Sequence, residues 1–389
     1  MARHIVNVLD IGSANVKALI SERRPDLPGI RILGAGLSKS EGVRKGAIIK
    51  PELVIESIKE AVRSAERTSG IPFRHAFLCF GSTALGFQKA RARVAVSRAD
   101  GEVTSHDIER VIKQARSSLV ALQNKEILDS IGLGFNVDGV EAAKDPSGMK
   151  GENLDGEILF LTAQRKSLAD LIDAVDKSGV AIDDVLVGPA GVSRSVLSPR
   201  EREVGALVLD IGFDTSALGV FENGLPFSIA VFPFGSNHIT NDIALGFQVS
   251  LDTAEKIKLG IEMPDSSQIT RRKLQNIVEA RLEDMFELVE THLKKISRSG
   301  LLPGGAALAG GGSRLEGIAD FAKNSLRLPA RLGRNSVLET NHKIADPIWA
   351  AALGVSLLVL DEDKETGIAA KKPSQFKQKL ATWFKSFIP

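Results

Sequence analysis

Two aspartates stand 200 positions apart and each opens the same tripeptide, Asp10-Ile11-Gly12 and Asp210-Ile211-Gly212. Both follow apolar runs, "IVNVL" and "ALVL", and both lead through a short polar turn into a second apolar run, "VKALI" and "SALGVF". A third glycine turn, Gly310-Gly311-Gly312-Ser313, follows the apolar run "AALA". Glycines after a strand let backbone N–H groups approach phosphate oxygens with no Cβ in the way. A carboxylate at a strand end can hold a hydrated divalent cation, because Mg²⁺ prefers carboxylate and water oxygens. Ser13 and Thr215 offer hydroxyls, and Lys17 offers a charge to neutralise phosphate. The glycine run at 310–312 can lie flat against a nucleoside. Each turn alone is a common loop. The three in this order, with two in matching hairpins, point to a bound nucleotide.

The elements around these turns must hold them face to face. Both Asp-Ile-Gly segments read as β-hairpins. An α/β unit of βββαβ type used twice gives two lobes with a cleft between them. Residues 51–69 carry Ile55, Ile58, Ala61, Val62 and Ala65 on one helical face, with Pro51 in the first turn and Gly70 beyond the end. "AFLCF" reads as a buried strand, and 83–157 as an inserted small α/β unit with a capped helix in "TSHDIERVIKQARSSLVAL". "EILFLTA" is expected to return to the first lobe, followed by a helix at 166–178. Residues 268–299 read as a long helix, Ser313 as the opening of another, 346–360 as a core helix and 361–373 as a linker.

The bulk numbers exclude several classes. Of 389 residues, 43% are hydrophobic and 25% charged, as in globular proteins. Net charge is +2, but residues 371–389 hold five lysines and no acid, so the remainder is net negative. That body has no general attraction for nucleic acid. The one cysteine, Cys79, sits in an apolar run and reads as a buried structural thiol; no disulfide framework is possible, which fits a reducing cytoplasm. The six histidines lack metal-ligand spacing, and no signal peptide or spanning run is present.

The chain ends in "KPSQFKQKLATWFKSFIP". On a helix, Phe376, Leu380, Trp383, Phe384, Phe387 and Ile388 share an arc of about 100°. Lysines flank that face. Such a segment suits an anionic membrane surface; the alternative is a helix docked on the protein's own core or on a partner.

"VLDIGSANVKALI", "VLDIGFDTSALGVF" and "ALAGGGSRLEGI" resemble the phosphate-1, phosphate-2 and adenosine motifs of the actin, Hsp70 and sugar-kinase superfamily. Within it the chain resembles the FtsA family of bacterial cell-division proteins. "EGVRKGAIIKPELVIESIKEAVRSAE", "VTSHDIERVIKQAR" and "FPFGSNHITNDIA" carry the likeness further, over nearly the whole chain. The resemblance implies a two-lobed actin-like (duplicated RNase H-like) α/β fold with an inserted subdomain and a C-terminal amphipathic helix. The implied domains are 1–82 with 158–204 and 345–360 for the first lobe, 83–157 for the insert, and 205–240 with 300–344 for the second lobe. Residues 241–299 would form that lobe's small subdomain, shorter than the family's usual one. Residues 361–373 would be a linker and 374–389 the membrane-targeting helix.

Residue by residue, the resemblance implies that Asp10, Gly12, Ser13, Asn15 and Lys17 form one phosphate loop, and Asp210, Gly212, Phe213 and Thr215 the other. Gly235 and Asn237 would face the phosphates, and Gly310, Gly311 and Gly312 the adenosine. Glu279 and Arg281 would flank the nucleoside or form a solvated helix face. Asp10 and Asp210 would hold Mg²⁺ through water. The family's second loop is "DIGGGT"-like; here "DIGFDT" puts Asp214 where it would either face the metal or weaken ATP binding. Helix "GPAGVSRSVLS" offers Ser193, Arg194 and Ser195 but no Gln or Glu to orient a water, so at most slow ATP hydrolysis is implied. The implied partners are FtsZ, other division proteins and further copies of the chain in a filament at the cytoplasmic face of the plasma membrane. A type IV pilus assembly scaffold and a sugar or acid kinase of the same superfamily remain alternatives.

Overall fold

The computed structural model describes residues 4–23, 30–120, 122–142, 145–262, 267–335 and 344–366. The tail face from Phe376 to Ile388 lies outside the described residues. The chain divides into two units, Ala84–Ala169 and the chain on either side of it.

The larger unit contains the same five-stranded arrangement twice. In the first sheet the spatial order is Ala181–Val187, His75–Phe80, His4–Ile11, Asn15–Arg23, Ile30–Lys39. In the second it is Ala330–Leu332, Ala306–Ala309, Ala206–Ile211, Ser216–Glu222, Leu225–Phe232. In each, three strands consecutive in the chain pair antiparallel, and the first of them continues into two parallel neighbours. The registers match as well: Asp10 lies opposite Cys79 and Asp210 opposite Ala309. The strands carrying both aspartates are central, which explains their unbroken apolar runs: Val6, Val8 and Leu9, like Leu207, Val208 and Leu209, are buried.

Helix Pro51–Ser69 covers one face of the first sheet with Val54, Ile58, Ala61, Val62 and Ala65, and ends at Gly70 in a left-handed conformation. Helices Gly188–Val196 and Ala350–Thr366 pack against each other between the two sheets. Their closest approach is at Gly191 and Gly354, where a Cβ on Gly354 would meet the Gly191 carbonyl oxygen at 1.7 Å. Helices Ser236–Phe247, Leu251–Lys258 and Gln268–Lys295 follow strand Leu225–Phe232 and precede strand Ala306–Ala309 in the chain, and help bury the outer face of the second sheet through Ile239, Ile257, Phe286 and Val289.

In the smaller unit the strand order is Leu85–Ala95, Asn153–Gln164, Lys125–Val137, Val140–Ala142. Helix Ser105–Ser117 covers one face, started by Asp107, whose carboxylate accepts from the Thr104 N–H and hydroxyl at 3.0 and 2.8 Å. The run "EILFLTA" does not return to the first lobe. It is an inner strand of this sheet, paired antiparallel on both sides, and its apolar character comes from that position. The insert therefore runs past residue 157. Two further expectations shift. Ser313 lies in a single 3₁₀ turn, Gly311–Arg314, and the following helix starts at Ile318. The helix after Ala350 continues to Thr366, so the polar run from residue 361 begins as helix.

Candidate functional site

The ends of the two central strands open into one cavity of about 1250 Å³, wholly within the larger unit. Its lining brings together Asp10, Gly12, Ser13, Asn15 and Lys17 from the first hairpin with Asp210, Gly212, Phe213 and Thr215 from the second. Gly310, Gly311 and Gly312 line it too.

The two hairpin turns are built alike. The Gly12 N–H donates to the Asn15 carbonyl at 3.0 Å, and the Gly212 N–H to the Thr215 carbonyl at 2.9 Å. Between the turns sits a concentrated charge group. Lys17 Nζ donates to Asp10 Oδ2 at 2.7 Å, with the two side chains only 12% and 13% exposed. Burial lowers the Lys17 pKa, but the attraction of Asp10, reinforced by Asp210, outweighs it and leaves the ammonium above its usual value. The Asp210 value rises too, which for a carboxyl disfavours the charged form. Burial, with the repulsion of Asp10 added, lifts its carboxyl to about 6 against the relief given by Lys17. A half-buried pair of carboxylates with one lysine is short of positive charge, which suits a cation held through water. Among the described residues no three His, Cys, Asp or Glu side chains form a direct metal cage.

Cys79 is 5% exposed and faces the same cavity. Burial first, then the Asp10 charge, pushes its thiol well above the ordinary value, so it remains an unreactive thiol.

The third turn closes over the second aspartate. Gly310 has φ +78°, and a Cβ there would meet Asp210 Oδ1 at 2.2 Å. Only glycine both adopts that backbone and leaves room for the carboxylate. Arg314, on the same turn, lines the cavity and is ion-paired with Asp346.

Some expected residues stand elsewhere. Gly235 and Asn237 do not line the cavity; their neighbour Ser236 does. Gly235 lets helix Ser236–Phe247 start against the second loop, since a Cβ there would meet the Phe213 carbonyl oxygen at 2.4 Å. The Ser236 and Asn237 N–H groups donate to the Gly212 and Phe213 carbonyls, both at 2.9 Å. These residues therefore buttress the loop. Asp214 is also outside the lining: it accepts from the Lys45 backbone N–H and the Asn237 side chain, each at 3.1 Å. Glu279 lines the cavity, but Arg281, two residues on and so turned to another face of the helix, pairs with Asp242 at 2.9 Å. Ser193 and Ser195 are spent inside the packing, donating to the carbonyls of Ala190 at 2.7 Å and Ala350 at 2.8 Å. From helix Gly188–Val196 the cavity receives Gly188 and Pro189.

The reading of the sequence missed Glu255 and Lys258. Both line the cavity, 2.7 Å apart at i,i+3 on one helix. Thr240 joins them, donating to Glu255 at 2.6 Å and accepting from Lys258 at 2.9 Å. The spacing Glu-x-x-Lys in "AEKIKLG" was a visible signal, masked by its resemblance to an ordinary surface ion pair.

Known proteins resemble this chain in sequence and in fold. The family described as "Cell division protein FtsA" matches residues 207–354, and the "SHS2 domain inserted in FTSA" matches 84–162. The cell division protein FtsA of Borreliella burgdorferi is 30% identical over 410 aligned positions, covering 99% of each chain. That of Bacillus subtilis is 29% identical, covering 96% of this chain and 88% of its own. Among solved structures, the PilM-PilN type IV pilus biogenesis complex superposes with a TM-score of 0.67 at 18% identity, covering 92% of this chain and 99% of that one. MreB5 of Spiroplasma citri bound to ADP gives 0.50 at 13% identity, covering 94% and 99%. These two likenesses establish an α/β fold of the actin type. The match over full length with curated relatives goes further: the chain belongs to the FtsA family of cell division proteins.

Proposed function

We propose that the cavity binds ATP with Mg²⁺ and that the protein is a membrane-tethered, polymerising adaptor of the division machinery. The observation that carries this is the pair of matched turns facing one cavity with Lys17, Asp10 and Asp210 between them. The triphosphate would lie between the turns, with Lys17 against its charge. Asp10 and Asp210 would hold the metal through water, where it would neutralise phosphate charge. Glu255 and Lys258 suit the ribose hydroxyls, and the 310–312 turn suits the base. MreB5, on the same fold, is a protein bound to ADP.

Hydrolysis is slow in this reading, because the helix at 188–196 presents only Gly188 and Pro189 to the cavity and no side chain to orient water. The nucleotide then acts as a conformational ligand. Residues 374–389 supply the tether. Six apolar side chains partly buried in lipid contribute on the order of 5–9 kcal/mol. Each nearby lysine adds about 1 kcal/mol on an anionic leaflet. Copies joined head to tail multiply that attachment. FtsZ and other division proteins are the partners this role requires.

Calorimetric titration with ATP, with and without Mg²⁺, tests the core of the proposal. Saturable, Mg²⁺-dependent binding that Asp210→Ala abolishes is expected. Equal heats in wild type and variant would reject it.

A further inference from the structure

The second loop carries Phe213-Asp214, a bulky and an acidic residue, and the structure gives the acid a task. Asp214 is 7% exposed. Its Oδ2 accepts from the backbone N–H of Lys45 at 3.1 Å, and its Oδ1 from Asn237 Nδ2 at 3.1 Å. Lys45 belongs to the first half of the unit. It sits in the tight turn between the short strands Val43–Arg44 and Ala47–Ile48, with φ +50°. The Lys45 carbonyl accepts from Thr83 Oγ1 at 3.2 Å, so one residue is held by its own half on one side and by the opposite half on the other. Neighbours of both partners line the cavity: Val43, Gly46 and Ile48 on one side, Phe213 and Ser236 on the other.

We propose that Asp214 is a positioning residue, a clasp built into the protein that holds the 43–48 hairpin against the second phosphate loop and makes closure of the cleft partly independent of nucleotide. The contact consists entirely of protein atoms. It joins the two halves beside the phosphate end, where a ligand would otherwise be the main bridge. A carboxylate receiving two donors at low exposure forms strong, directional bonds, and losing it leaves the Lys45 N–H unsatisfied. A clasp that favours the closed arrangement also raises apparent nucleotide affinity, because affinity scales with the fraction of molecules competent to bind. This second consequence rests on the nucleotide reading above; the first does not.

The test is amide-resolved hydrogen exchange of the full chain without nucleotide, on wild type, Asp214→Ala and Asp214→Asn. Exchange at Lys45 is expected to be slow in wild type, at least tenfold faster in Asp214→Ala, and close to wild type in Asp214→Asn, which keeps an acceptor oxygen. Mg·ATP affinity should then be about tenfold weaker in Asp214→Ala. Unchanged exchange at Lys45 in Asp214→Ala overturns the clasp whatever the nucleotide result. Faster exchange with undiminished affinity overturns its role in closure. If wild type itself binds no nucleotide, the function proposed above fails alone, and the exchange rates still decide the clasp.

Discussion

Replacing Asp210 by asparagine should stabilise the nucleotide-free protein while disabling its site. In the folded chain the Asp210 carboxyl is lifted from an ordinary 3.8 to about 6, by burial and by Asp10. A carboxyl with a raised folded value costs nothing while protonated in both states. The cost grows as pH climbs from about 4 through about 6, and is constant beyond. With 1.36 kcal/mol per unit, the ionised group opposes folding by about 3 kcal/mol at pH 8 and by roughly half of that at pH 5. Asparagine has the same shape and carries no charge, so it removes that cost. For a chain of this length 3 kcal/mol corresponds to about 4 °C in melting temperature. Trp349, 4% exposed between the two sheets, reports unfolding of the larger unit by fluorescence in a Trp383→Phe background. The variant should melt higher than its parent at pH 8 and by roughly half that margin at pH 5. An Asp210→Asn protein that melts lower, or a gain that does not change with pH, would refute the electrostatic reasoning.

Three other outcomes follow from the same geometry. Ala at both Glu255 and Lys258 should weaken nucleotide binding about tenfold or more, measured by calorimetry, with the fold kept. Gly354→Ala forces a Cβ to within 1.7 Å of the Gly191 oxygen and should lower stability by about 1–3 kcal/mol or more, read as melting temperature. Glu at both Trp383 and Phe384 should release the protein from anionic liposomes in co-sedimentation, and unchanged pelleting would discredit the tether.

Much of the site was legible because the chain repeats itself. Asp10 and Asp210 end central strands, and central strands announce themselves as unbroken apolar runs before a polar turn. The duplicated order of elements then implied that the two turns face one another. What could not be read was contact across the fold. Asp214 looked like a charge aimed at a ligand because its donors, Lys45 and Asn237, lie 169 and 23 positions away in sequence and one of them is a backbone N–H. Arg281 reads in the sequence as either a nucleoside contact or part of a solvated helix face, because nothing local reveals Asp242, 39 positions earlier. The strand at 157–163 was misassigned for a similar reason: an apolar run states that it is buried, not in which sheet.

The bare crossing of the helices at Gly191 and Gly354 has a mechanical consequence. Where backbone touches backbone, no rotamer has to be reset when one helix turns on the other. The crossing can serve as a fulcrum, stiff to compression and lenient to rotation. Both arms extend from it: one helix leads directly out of the first sheet at Val187, while the other runs on to Thr366 toward the tail.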